Sequence, residues 1–74
     1  MNRGEKMIKN NLSKILGERL LSISKVSQDT GIARSTLTGI YYRKSKGIQY
    51  DTLNTLCEYL GCGVSEILEH ITDN

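Results

Sequence analysis

The stretch from Arg34 to Lys46, RSTLTGIYYRKSK, gathers the side chains of this chain best suited to binding something. Wound as a helix over residues 34–42, it puts Leu37, Ile40 and Tyr41 on one side and Arg34, Ser35, Thr38, Gly39 and Tyr42 on the other. Arg43, Lys44 and Lys46 follow directly, in a stretch whose charge and glycine break the pattern into a loop. Hydrogen-bond donors beside fixed cations suit an anionic partner that carries its own pattern of donors and acceptors. A basic loop alone is an ordinary solvated surface; its position after such a face gives it weight.

Other chemistry is poorly served. Ser22, Ser24, Ser35 and His70 have no second base or orienting acid beside them, so no nucleophile set forms and an enzyme is not expected. Cys57 and Cys62 are five residues apart, and the single His70 falls on a different predicted helix. That spacing suits no metal, so both cysteines are read as small core residues and no cofactor is expected.

The elements that must position the outward face follow from periodicity. Ile8, Leu12, Ile15 and Leu16 predict a first helix over residues 8–19. Ser22 is a good N-cap for a second helix, with Ile23, Val26, Ser27 and Thr30 on one face and Gly31 as a left-handed stop. The third helix is residues 34–42, and RKSKGIQ over 43–49 is a loop. Leu53, Leu56, Cys57 and Leu60, closed by Gly61, predict a fourth helix, with Asp51 in its first turn. Val64, Ile67, Leu68 and Ile71 predict a fifth. Five short helices and no strand give an all-α fold class, with a tail over residues 1–7 and one domain over 8–72. Met7 is a second candidate start. Tyr41, Tyr50 and Tyr59 fall at or beside inner positions as core or rim, which leaves Tyr42 as the tyrosine free to meet a partner.

Charge is divided as sharply as pattern. Residues 1–50 hold all ten Lys and Arg against Glu5, Glu18 and Asp29, a net +7; residues 51–74 hold five acids and no Lys or Arg, a net −5. The first half therefore suits a polyanion. A chain of 74 residues supports one small domain. No apolar run approaches a signal segment or a membrane span, and the expected location is cytoplasmic.

Two short helices joined through a glycine turn and followed by a basic loop form a helix-turn-helix pattern. Ser27 is the small residue facing the partner helix, Gly31 takes the turn, and Ile32, Leu37 and Ile40 are the apolar followers. With the "LGCGVSEIL" segment as a fifth helix, the stretch from Leu21 to Leu68 resembles the Cro and phage-repressor family, also called the XRE family, of bacterial and phage DNA-binding domains. The resemblance implies a compact five-helix Cro-like fold and makes residues 34–42 the recognition helix of the major groove.

It also implies roles residue by residue. Arg34, Ser35 and Thr38 occupy the positions that reach base edges, and Thr36 lies near a phosphate. An arginine can bind guanine O6 and N7 with two hydrogen bonds, while serine and threonine read bases less selectively. Gly39, on the same outward face, is read as a clearance position that lets the helix backbone approach DNA. Backbone contacts are expected from Tyr42, Arg43, Lys44 and Lys46, with Lys25, Lys9 and Lys14 as weaker candidates.

Three positions depart from the family pattern. Ile23 stands where many members carry a phosphate-binding Gln. Ala33 replaces a Ser or Thr cap, forgoing roughly 0.5–2 kcal/mol. Leu16 and Tyr41 stand where some phage repressors have a buried Arg–Glu pair, an exchange that can be neutral or stabilising. The expected partner is double-stranded DNA with a two-fold operator, bound by a weak or DNA-assembled homodimer whose contact lies near the fifth helix and Ile71. The competing expectation is an antitoxin or antirepressor module of the same fold, binding a protein partner through acidic residues 51–74.

Overall fold

Ten aliphatic side chains make the core: Leu12, Ile15, Leu16, Val26, Leu37, Ile40, Leu53, Leu56, Leu60 and Ile67. The computed structural model describes residues 6–72, and they run in the order β1 (Lys6–Asn10), α1 (Leu12–Glu18), α2 (Ile23–Thr30), α3 (Arg34–Tyr41), α4 (Tyr50–Leu60), α5 (Val64–Ile67) and β2 (Leu68–Thr72). Each of the five helices sends at least one residue into that core. No buried side-chain polar atom lacks a partner among the described residues.

The helices centred on the predicted stripes are present, but the two ends of the chain correct the all-α expectation. Residues 6–10 pair antiparallel with 68–72, in the register Met7↔Ile71, Ile8↔His70, Lys9↔Glu69 and Asn10↔Leu68. The predicted first helix over 8–19 is therefore a strand followed by the shorter α1, and Ile8, taken as its first core residue, is 64% exposed. Asn10 marks the switch, its side-chain oxygen accepting the Leu12 N–H at 3.2 Å. The predicted tail over 1–7 also gives way, since Lys6 and Met7 belong to β1; residues 1–5 lie outside the described residues.

The fifth helix stops at Ile67 rather than running to Ile71. The Ile67 carbonyl accepts the Asn11 N–H at 2.7 Å, and Leu68 is already extended at ψ 140. The extended backbone at Leu68 takes the chain out of the helix, and Ile71 and Thr72 are β-branched residues suited to the strand that follows. Tyr50 is a further correction: it is 88% exposed, not a core or rim residue.

Candidate nucleic-acid interface

The geometry of α2 and α3 rests on short-range bonds. Ser22 caps α2, its hydroxyl accepting the Lys25 N–H at 3.0 Å. Gly31 ends α2 at φ 82, where a side chain would strain the backbone. Two hydroxyls then stitch the turn: Ser27 donates to the Ile32 carbonyl at 2.6 Å, and Thr30 donates to the Val26 carbonyl at 2.7 Å while accepting the Ile32 N–H at 3.1 Å. Periodicity placed Ser27 and Thr30 on the inner face; their bonding to this turn is visible only in three dimensions. Ala33 opens α3 with no side-chain cap, as its identity requires.

On α3, Leu37 and Ile40 are buried, while Arg34, Ser35, Thr36 and Thr38 are exposed. Tyr42 is 59% exposed and meets Tyr41 edge-on, with ring centroids 4.9 Å apart. Arg43, Lys44 and Lys46 are all exposed at the helix's C-terminal end. Residues 30–50 carry four cationic side chains and no acid. The face and the loop thus form one continuous surface of donors and positive charge.

The end of α3 carries a feature that spacing could not reveal. Arg43 sits in the left-handed region at φ 60, its N–H bonded to the Ile40 carbonyl at 3.0 Å, and the Lys44 N–H returns to the Gly39 carbonyl at 2.8 Å. This is the Schellman pattern, with arginine where glycine is usual. The Ser45 N–H also reaches the Gly39 carbonyl, at 3.2 Å. A Cβ added at Gly39 would lie 2.7 Å from the Ser45 hydroxyl, so the room this glycine leaves is taken by the chain's own loop. Gly39 is half-buried, which narrows the exposed set to Arg34, Ser35 and Thr38.

Lys25, a weaker phosphate candidate, is engaged with its own helix: its Nζ lies 3.3 Å from Asp29. Asp29 also accepts the Tyr59 hydroxyl at 2.5 Å, which ties α2 to α4. The Tyr59 hydroxyl, and then Lys25, hold the Asp29 carboxyl below its ordinary range, and the same bond pushes the Tyr59 hydroxyl above its own. Lys9 stands opposite Glu69 in the ribbon. Leu16 is fully buried and Tyr41 packs against the core, so both serve the apolar interior.

Residues 11–73 match the family model of the Cro/C1-type HTH DNA-binding domain. The chain belongs to that family. Over 63 residues, 85% of this chain and 75% of its relative, it is 32% identical to a protein named "Uncharacterized HTH-type transcriptional regulator YozG" of Bacillus subtilis (strain 168). The fold is also that of the crystal structure of the transcriptional regulator VanUg, Form II, with a TM-score of 0.73, 23% identity, and coverage of 99% of this chain and 96% of that one. A Cro/C1-type domain is a DNA-binding unit of transcriptional regulators, and α2 and α3 are its helix-turn-helix. No helix among the described residues is long and apolar enough to cross a membrane.

Proposed function

We propose that this Cro/C1-type domain is a sequence-specific, double-stranded DNA-binding repressor that inserts α3 into the major groove. The observation that carries the reading is the exposed, acid-free surface of Arg34, Ser35 and Thr38, continued by Tyr42, Arg43, Lys44 and Lys46. Arg34 binds a guanine edge with two hydrogen bonds, Ser35 and Thr38 read neighbouring bases, and Thr36 and the loop hold phosphates. Lys25 contributes to the backbone only by leaving Asp29. Gly39 flanks the base-reading face, giving its space to the loop. The site is cytoplasmic, on the nucleoid.

One module of this size buries little surface on DNA, so two copies on a two-fold operator are the working unit, joined weakly through the C-terminal part around α5 and Ile71. Fluorescence anisotropy on operator and random duplexes, at several salt concentrations, tests the whole reading. Arg34→Ala should relax preference at one base position, whereas Lys44→Ala should weaken all sequences alike and lower the salt slope by about 1. Equal losses on cognate and random DNA for Arg34→Ala would remove the base contact. Affinity weaker than about 10⁻⁴ M for every duplex at low salt would favour the protein-binding module instead.

A further inference from the structure

The end of α4 holds two thiols in a defined relation. At the end of α4, Gly61 is left-handed at φ 65, and the Cys57 carbonyl accepts both the Gly61 N–H and, at 3.1 Å, the Cys62 N–H. These bonds put Cys57 and Cys62 at the two positions of a Schellman cap whose side chains frequently pack together. Standard bond lengths chained through the longer bond limit their Cα–Cα separation to about 7 Å. Natural disulfides span roughly 4.4–6.8 Å. Because the carbonyl and the N–H do not lie on one straight line, the true separation is shorter than that limit and within a disulfide's reach.

Both thiols are free and half-buried, and both pack against the core. Cys62 also lines an open polar groove of ≈ 480 Å³ between α1 and the α5–β2 segment. The pair has no third metal ligand, because no group of three such side chains that could hold a metal occurs among the described residues.

We propose that Cys57 and Cys62 are a redox-active dithiol that closes to an intrachain disulfide across the α4 cap on meeting a low-molecular-weight disulfide. One cysteine thiolate attacks the small disulfide, forming a mixed disulfide and releasing one small thiol. The other thiolate then attacks the cysteine sulfur of that mixed disulfide and expels the second small thiol. The two protons lost by the cysteines end on the two released thiols; the dithiol gives up two electrons and the small disulfide accepts them.

Burial, then Cys57 and Glu66, hold the Cys62 thiol above its ordinary range, with Arg19 acting in opposition. Lys14, Glu18 and Glu69 complete the charged lining of its groove. Closure is accordingly slow at neutral pH and speeds up as pH rises. The cross-link ties α4 to the start of α5, beside the Leu60 carbonyl to which Arg19 donates.

The test uses the full chain, reduced and then exposed to oxidised glutathione without air. Glu58 lies between the cysteines, so cleavage after glutamate separates them in an unlinked chain. The expected product is a monomer lighter by two hydrogens, whose Cys57 and Cys62 peptides stay joined until dithiothreitol is added. Cys57→Ser and Cys62→Ser should each stop at one glutathione adduct. Closure should be at least about tenfold faster in native buffer than in denaturing urea, because the cap holds the thiols together. Stable double adducts, chain-to-chain dimers alone, or a native rate no faster than in urea would each overturn the proposal. The wild-type rates decide it even if a serine variant fails to fold.

Discussion

Four helices of this domain end on a left-handed residue, and they divide two against two. The ends of α2 and α4 use Gly31 and Gly61, whereas the ends of α1 and α3 use Leu20 and Arg43, at φ 57 and 60. The bonding is of one type: after α1 the Leu21 N–H returns to the Leu16 carbonyl at 2.9 Å, as the Lys44 N–H returns to Gly39 after α3. A side chain in this region costs roughly 1–2 kcal/mol. Where only shape is required, glycine avoids that cost. At α3 the cost is accepted and a cation stands beside the face proposed to read bases, as strained residues do at sites where function sets the side chain. Leu20 is 93% exposed, and nothing in the structure explains its side chain.

The contrast can be broken by exchanging the two kinds of ending. Gly31→Val should have the largest effect, a loss of about 1–2 kcal/mol in urea unfolding, because it forces a β-branched residue into the left-handed region. Unchanged stability there would mean that the turn has another comfortable geometry. Arg43→Gly should raise stability by roughly 0.5–1 kcal/mol, the relieved strain less the added freedom of the unfolded chain. The same substitution should weaken binding to all duplexes alike, since a phosphate contact is lost. A stabilised variant with undiminished affinity would separate strain from function. Leu20→Gly should stabilise by a similar or smaller amount with no change in DNA affinity.

The smallest effect concerns the Asp29–Tyr59 tie between α2 and α4. A carboxyl held below its ordinary range favours the fold above the unfolded value, about 3.9, and loses that contribution as pH falls through the lower folded value. Tyr59 has the opposite sign, favouring the fold until pH rises through a value above about 10. Urea midpoints measured across acid pH should fall less steeply in Asp29→Asn than in the natural chain. Both groups are solvent-accessible, so the difference should be modest and should shrink with salt.

What could be read from the sequence follows how far apart the interacting residues lie. The stop at Gly31, the cap at Ser22 and the core positions Leu37 and Ile40 depend on neighbours within a turn or two, and residue spacing exposes them. The ribbon pairs Ile8 with His70, and no periodicity within either segment announces a partner that distant. Ile8 misled because it extends the stripe of Leu12, Ile15 and Leu16 by one helical turn while lying in a strand. In the candidate site, the outward set on α3 was legible because one helix presents it. The Lys25–Asp29–Tyr59 link was not, since it joins α2 to α4 through side-chain tips. Gly39 was placed correctly on the helix, but the neighbour it makes room for is Ser45, six residues on.

The Gly39 carbonyl receives the N–H groups of both Lys44 and Ser45 and so ties the basic loop to the last turn of α3. A loop joined in this way to the last turn of α3 travels with the helix as one body. In the proposed complex, Lys44 would meet its phosphate with its backbone already fixed relative to α3, leaving little backbone entropy to be lost on docking. Shifting the loop's register against α3 would therefore displace the phosphate grip and the base contacts together, so affinity and selectivity should change in step.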